Sequence, residues 1–316
     1  MSAKVTVIGS LNIDLVTNAK IPLPGETVIG GDLHTVPGGK GANQAVAAAR
    51  LGADVIMVGR VGNDVFAQQL LDNLTKFHVN HDHVIQDPGA ASGVALIVVD
   101  SAGENSIVVA PGANSLLTPA DVEAAEGAIE SADLILLQLE IPLETVHSAA
   151  QLAHKHGTKV ILNPAPAQPL PEELLARVDV LIPNEIETAL LSGMPANNQA
   201  EIGAAAAKLR QMGVGIVILT LGDRGALLAN EAGTLHFPPF VPPSVVDTTA
   251  AGDAFVGGLA TALAEGKSVA EAVPWGNASG SLAVTRLGAQ PSLPSREEVE
   301  VLLTHATYEQ RQGVGR

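Results

Sequence analysis

Asp133-Leu-Ile-Leu-Leu-Gln138, a helix-patterned stretch over residues 142–156, and then Lys159-Val-Ile-Leu162 form the passage that decides the fold. The apolar runs are continuous rather than alternating, as expected of strands covered on both faces. The rhythm continues, because Val178-Asp-Val-Leu-Ile182 and Ile216-Val-Ile-Leu-Thr220 are further apolar runs separated by helical stretches. The pattern predicts an α/β chain with a doubly wound, mostly parallel sheet flanked by helices. Helix starts are marked too. Thr118-Pro119 places a cap before a first-turn proline, and Ser268-Val-Ala-Glu271 and Ser295-Arg-Glu-Glu298 have the form of capping boxes.

Two stretches break the rhythm. Residues 15–36 hold Pro22, Pro24 and Gly25, then Thr27-Val-Ile29, and suggest short strands with turns. Gly93-Val-Ala-Leu-Ile-Val-Val99, a turn at Asp100-Ser-Ala-Gly-Glu-Asn105 and Ser106-Ile-Val-Val109 suggest an antiparallel hairpin. Together, at about 15–36 and 93–110, they are expected to form a small β-sheet lid inserted in a single domain spanning 1–316, since no linker separates them. The polar residues 309–316 are expected to fray.

Composition narrows the function. Among 316 residues, 17 Lys and Arg stand against 33 Asp and Glu, a formal net charge of −16. That balance argues against nucleic-acid and anionic-membrane partners, and no run is long enough to span a bilayer. The first nine residues hold too short an apolar run for a signal peptide, so a cytoplasmic location is expected. Cysteine is absent, which excludes disulfides, thiolate metal sites and cysteine nucleophiles. At 2% aromatic residues, ring stacking is not a major binding device.

Chemistry is concentrated in three places. Val245-Val-Asp-Thr-Thr-Ala-Ala-Gly-Asp-Ala-Phe-Val-Gly-Gly258 opens a helix, and its small residues Ala250, Ala251 and Gly252 leave backbone N–H groups open to an anion. Asp253 lies among those donors, where a carboxylate can take a proton from a hydroxyl, although an Asp there more commonly serves the helix dipole alone. Pro37-Gly-Gly-Lys-Gly-Ala-Asn43 offers Lys40 and Asn43 as donors on a close-approaching backbone. It fails as a Walker A loop, because Gly41 replaces the Ser/Thr, and as a dinucleotide fingerprint, because Gln44 takes the third glycine position. In Gly9-Ser-Leu-Asn-Ile-Asp14, Asn12 and Asp14 share one face beyond the first strand. Glu140, Asn184, Glu187 and Thr220-Leu-Gly-Asp-Arg-Gly225 likewise follow strand ends, where open α/β sheets bind ligands. His78, His81 and His83 with Asp82 lack a fixed ligand spacing and read as loop histidines. No Gly-x-Ser-x-Gly elbow appears.

Taken in order, these residues resemble the ribokinase-like carbohydrate kinases over essentially the whole chain. Gly38-Gly-Lys-Gly-Ala-Asn43 matches the first signature of that family and Asp247-Thr-Thr-Ala-Ala-Gly-Asp253 the second. Leu139-Glu140, Asn163-Pro-Ala-Pro166, Pro183-Asn-Glu185, Thr220-Leu-Gly222 and Val284-Thr-Arg-Leu-Gly-Ala-Gln-Pro-Ser292 keep its order. Asn163-Pro-Ala-Pro166 and Gly288-Ala-Gln-Pro291 favour the branch acting on ribose. The resemblance implies phosphorylation of D-ribose at the 5-hydroxyl by ATP. Asn12, Asp14, Gly39, Lys40, Gly41, Ala42, Asn43 and Glu140 would hold the sugar. Asp253 would be the base, and the N–H groups of Ala250, Ala251, Gly252 and Asp253 the anion hole. Ala250 departs from the family, many of whose members have Gly there. Asn184, Thr220, Leu221, Gly222, Asp223, Arg224, Gly225, Gly252 and Asn277 would line the nucleotide site, with Glu187 near a magnesium ion. The resemblance also implies a potassium site from Asp247, Thr249, Ala283, Arg286, Gly288 and Ser292, although Asp247 by itself reads as a brace for its loop.

Alternatives are a family kinase acting on deoxyribose, fructose, a keto-deoxy acid or a nucleoside, and a non-catalytic sugar-binding protein on the same fold. Apolar lid positions such as Val94, Leu96, Ile107 and Val109 cannot all be buried on one small sheet, so a homodimer joined through the lids is expected.

Overall fold

The computed structural model describes residues 2–100 and 105–313. In chain order the strands begin with β1 (Lys4–Ile8), β2 (Asn12–Asn18), β3 (Leu33–Gly38), β4 (Asp54–Val61), β5 (Asn80–Gln86), β6 (Gly93–Val99) and β7 (Asn105–Ala110). They continue with β8 (Leu134–Leu137), β9 (Lys159–Leu162), β10 (Val180–Leu181), β11 (Ile216–Thr220), β12 (Ala226–Asn230) and β13 (Gly233–Phe237). One sheet runs β13-β12-β11-β10-β9-β8-β1-β4-β5, parallel from β11 to β5, with β12 and β13 added antiparallel at one edge.

Strand β8 shows why the apolar runs are unbroken. Leu134 and Leu136 enter the core on one face and Ile135 and Leu137 the core on the other, all four at most 1% exposed. At roughly 1.5–3 kcal/mol for each fully buried Leu or Ile, such a strand is stable only with helices on both faces. The expected strand at 178–182 narrows to Val180–Leu181, although Ile182 still donates its N–H to the Leu162 carbonyl at 2.8 Å.

The second sheet runs β3-β2-β6-β7, with β2 parallel to β6 and the other two pairs antiparallel. The 93–109 hairpin is present, and residues 101–104 of its expected turn lie outside the described residues. The boundaries expected at 15 and 36 move outward to Asn12 and Gly38, so β2 begins within the Gly9–Asp14 motif and β3 ends within the glycine motif. Thr27-Val-Ile29 is not a strand, since the pairing edge of β2 is already taken by β3.

Both anticipated helix starts with a following acid hold: Ser268 caps with Glu271, and Ser295 with Glu298. Thr118 forms a capping box with Asp121. The helix Arg296–Gly313 extends through residues expected to fray, and residues 314–316 lie outside the described ones. No helix of the described residues is long and apolar enough to cross a membrane. One helix pair positions the site. Gly257 of the helix Ala251–Ala264 meets Ala47 of the helix Lys40–Arg50, so closely that a Cβ on Gly257 would lie 2.4 Å from the Ala47 methyl. Small residues at this crossing bring Asn43 and Gln44 against Asp253.

Candidate active site

The crevice forms where strands β1, β8, β9, β10 and β11 end. Ser10, Glu140, Asn163, Asn184 and Thr220 emerge there, facing the first turns of Lys40–Arg50 and Ala251–Ala264. The shared position that the sequence suggested for Glu140, Asn184 and Thr220 is therefore real, and Ser10 and Asn163 join them.

On one side stand Asn12, Asp14, Lys40 and Glu140. Asn12 donates from Nδ2 to Glu140 Oε2 at 3.4 Å, and the same oxygen accepts from Ser10 Oγ at 2.5 Å and the Lys40 N–H at 3.1 Å. Asn114, just beyond β7, donates to Asn12 Oδ1 at 2.7 Å and bonds both backbone groups of Leu11. Gly38 and Gly39 are there for space and conformation. A Cβ on Gly38 would sit 2.4 Å from Asp14 Oδ2, and Gly39 caps the helix with φ of 87°, a left-handed value costly for other residues. Burial pushes Asp14 up to about 7, with Glu140 and Asp253 adding to the rise and Lys40 opposing it. Burial alone would lower Lys40, yet Asp253, Glu140, Glu187 and Asp14 around it hold it above its ordinary value. One ammonium thus serves four carboxylates.

Asp253 is buried in the first turn of its helix. Its Oδ2 accepts from Asn43 Nδ2 at 2.9 Å and its Oδ1 from Gln44 Nε2 at 3.0 Å. The expected donor set at residues 250–253 is reduced by one, because the Ala251 N–H goes to the Thr248 carbonyl at 3.2 Å. No hydrogen bond among the described residues takes the N–H of Ala250, Gly252 or Asp253. Those three stay available to an anion at the positive end of the helix.

Next to Asp253 is a small cavity of about 110 Å³ lined by Lys40, Asn163, Glu187, Thr249 and Gly252. It shares Asn184, Thr220 and Gly252 with an open cleft of about 510 Å³. Gly222, Asp223, Gly225 and Asn277 line that cleft along with the apolar wall Pro239, Phe240, Val241, Pro242 and Val245, which the sequence did not reveal. Two residues of the expected set do not line it. Leu221 turns into the core, and Arg224 pairs with Glu185 at the rim. Asn184 and Glu187 are locked in a capping box, with Glu187 Oε2 accepting the Asn184 N–H at 2.8 Å. Burial raises Glu187, against the Asn184 bond and Lys40. A buried carboxylate next to Asp253 is a hard oxygen set of the kind that suits magnesium.

The loops expected to hold potassium do meet. Val246 donates its N–H to the Val284 carbonyl at 2.7 Å, and Gly288 donates to Asp247 Oδ2 at 2.8 Å. Asp247 Oδ1 accepts from the Thr249 N–H at 2.9 Å, so Asp247 braces the loop, the role the residues alone suggested. Ser292 Oγ donates to the Ala289 carbonyl at 2.7 Å, and the Ala283 carbonyl accepts the Arg286 N–H at 3.3 Å. The expected ligands are all oxygens, the kind a hard monovalent cation takes, but both Asp247 oxygens and the Ala283 carbonyl, expected to be free, already accept hydrogen bonds. His81 and His83 lie on β5 rather than in a loop, and no cluster of three metal-binding side chains occurs among the described residues.

Ser10, Gln44, Asn114, Asn163 and Gln138 were not singled out for roles from sequence, yet all five hold site side chains or backbone in place. The only signal for Gln138 is an amide ending an otherwise apolar run.

A family model described as pfkB family carbohydrate kinase matches residues 2–296. A ribokinase of Haemophilus influenzae is 41% identical over 307 residues, 97% of this chain and 100% of the relative. A deoxyribokinase of Salmonella typhimurium is 39% identical over 95% of this chain and 98% of its own length. The chain spans 55% of a longer relative, a bifunctional ribokinase/ribose-5-phosphate isomerase A of Fructilactobacillus sanfranciscensis, at 43% identity over 94% of this chain. The solved structure of an Arabidopsis thaliana ribokinase complexed with ribose and ATP matches with a TM-score of 0.89 at 35% identity, covering 96% of this chain and 99% of that one.

Proposed function

The chain belongs to the pfkB family of carbohydrate kinases, and from that premise we propose that it transfers the γ-phosphoryl group of ATP to the 5-hydroxyl of D-ribose, giving D-ribose 5-phosphate and ADP. The observation that carries the reading is Asp253, a buried carboxylate held between two amides at a helix N-terminus, where the polar crevice meets the cleft.

Asn12, Asp14, Lys40, Asn43 and Glu140 hold the sugar, whose vicinal hydroxyls suit paired carboxylates and amides. ATP lies along the cleft past Asn277, Gly225 and Asp223, its phosphates toward Gly252. The 5-hydroxyl gives its proton to Asp253 as its oxygen bonds the γ-phosphorus, and the bond from phosphorus to the ADP oxygen breaks. The free N–H groups of Ala250, Gly252 and Asp253, with Lys40, face the charge on the phosphoryl oxygens. Glu187 would hold a magnesium ion near the phosphates, where it would supply further charge neutralisation. The four-stranded sheet acts as the lid, excluding water from the transfer.

ADP release assayed with D-ribose, 2-deoxy-D-ribose, D-fructose and adenosine tests this, with the product identified by phosphorus NMR. Ribose should give the highest kcat/KM and a 5-phosphate. A preference for 2-deoxyribose would move the chain to the deoxyribokinase reading, and no ADP release above the sugar-free rate would leave a binding protein.

Two further parts of the reading have their own tests. Potassium titrated into enzyme in a large-cation buffer should raise kcat more than it changes either KM, and Asp247→Ala should blunt that response; a flat titration removes the cation site. Leu33, Leu96 and Val108 are 63%, 50% and 62% exposed on the lid strands, which supports a homodimer through the lids. Light scattering at assay concentration should give twice the chain mass, and a monomer mass discards the dimer.

A further inference from the structure

Behind Asp253 lies a line of buried amides that the reaction described above does not use. Gln44, with no exposed surface, donates from Nε2 to Asp253 Oδ1 at 3.0 Å and to Asn163 Oδ1 at 3.1 Å. Its Oε1 accepts from Gln138 Nε2 at 2.7 Å, and Gln138, just past β8, is equally buried.

An amide is nearly the same shape either way round but opposite in polarity. Turned over, Gln44 would set an oxygen against the Asp253 carboxylate, acceptor against acceptor. Its neighbours forbid that turn. Asn163 shows Gln44 an oxygen because its own Nδ2 is held by the Ile182 carbonyl at 2.9 Å. Gln138 shows it a donor, and keeps that bond although its own Oε1 has no partner among the described residues. Room for Gln138 in this pose exists only because residue 9 is glycine, since a Cβ there would lie 2.1 Å from Gln138 Oε1. The polarity of Gln44 is thus set by Asn163, without help from Asp253, and Gln138 holds the Gln44 oxygen on the far side.

We propose that Gln44 is a positioning residue for the base and that Gln138 acts through it. The relay Gln138 to Gln44 to Asp253 keeps an N–H on Oδ1, with Asn43 doing the same for Oδ2. It holds the carboxylate in one plane as an acceptor, its remaining lone pairs directed to the incoming hydroxyl. In a buried site of low dielectric, a reversed amide would cost more than it would in water. The inference rests on the reading of Asp253 as the base.

The test is kcat and both KM values from pH 5 to 9 for the parent, Gln44→Glu, Gln138→Met and Asp253→Asn, with melting temperatures alongside. Lys40, Asp14 and Glu187 also face Asp253 electrostatically, and they are unchanged in the parent and all three variants. Gln44→Glu sets a second carboxylate on Asp253, so the two share a proton and the acid limb of the kcat profile moves up by about one pH unit or more. Gln138→Met keeps volume but removes the donor, so kcat falls ~10²-fold, as expected of a displaced reacting group, with both KM values near the parent's. A Gln44→Glu profile that overlays the parent's, or a Gln138→Met enzyme at parental kcat, overturns the relay. So does a Gln138→Met loss shared by kcat, both KM values and melting temperature, which would make the residue packing alone. If Asp253→Asn itself turns over like the parent, it is the base reading that fails.

Discussion

Around Asp253 most of the lining is polar and Asn163, Asn184, Glu187 and Asp253 itself are each held by another polar group, whereas the cleft past Asn277 is walled by Pro239, Phe240, Val241, Pro242 and Val245. In the first region Asp14, Glu140 and Asp253 gather around Lys40, and Ser10, Asn114 and Gln138 hold them or their neighbours from behind. In the second, polar side chains such as Asn184, Thr220, Asp223 and Asn277 stand along an apolar wall and a glycine-bearing turn at residues 222–225. The difference fits the roles proposed for each. Selecting one sugar hydroxyl and removing its proton requires atoms fixed in advance, while a large anionic substrate can be held by shape, backbone and its own phosphates.

Substitutions should therefore matter far more on the first side. Asp253→Asn keeps the shape but removes the proton acceptor, and it sets an NH₂ group against either Asn43 or Gln44. We expect kcat to fall ~10²–10⁴-fold with both KM values little changed. A variant within a few fold of the parent in a coupled ADP assay would break the comparison at its strongest point.

The next effect is a pH dependence. Sugar hydroxyls need an ionised acceptor, and Asp14 sits at about 7 rather than 3.8. The ribose KM should therefore fall ~10-fold from pH 6 to pH 8, and Asp14→Asn should flatten that change while leaving the ATP KM in place. The sign for stability is the reverse. Between 3.8 and about 7 the folded chain keeps a proton that the unfolded chain has released, so the contribution of Asp14 to stability falls as pH rises through that window. Asp14→Asn should accordingly raise the melting temperature more at pH 8 than at pH 5, as calorimetry can read.

The smallest effect is expected in the cleft. Phe240 is half-buried in its wall, and Phe240→Ala should raise the ATP KM by less than ~10-fold with kcat and the ribose KM unchanged. A large loss of kcat would mean that the cleft, too, is built to tight tolerance.

The same contrast governs what could be read from residues alone. The sheet was legible because β8, β9 and β11 are each buried on both faces and leave continuous apolar runs. Asp253, Lys40 and the glycines were legible because helix starts and close backbone approach demand particular residue types. Gln44 and Gln138 were not, since a buried glutamine carries no spacing rule and its meaning lies in a partner 94 positions away. The apolar cleft wall was hidden for a different reason, as Val241, Pro242 and Val245 belong to no regular element. The bracing of Asp247 by Gly288 joins two loops 41 residues apart and is likewise a matter of tertiary contact.

Strand β2 begins at Asn12 and Asp14 and runs without a break to Asn18, paired along its whole length with β6. Asn114, reached as the chain leaves β7, ties back to Asn12. The second sheet is therefore a lever whose short arm is the proposed sugar grip, with no swivel between load and handle. If two copies pack through the lids as proposed, a copy pressing on Leu96 and Val108 would do work on Asp14, and an occupied sugar site would resist that work by the same amount. Linkage would then make the two equilibria reciprocal: dilution that separated two such chains would weaken the hold on sugar by the factor with which sugar strengthened their association.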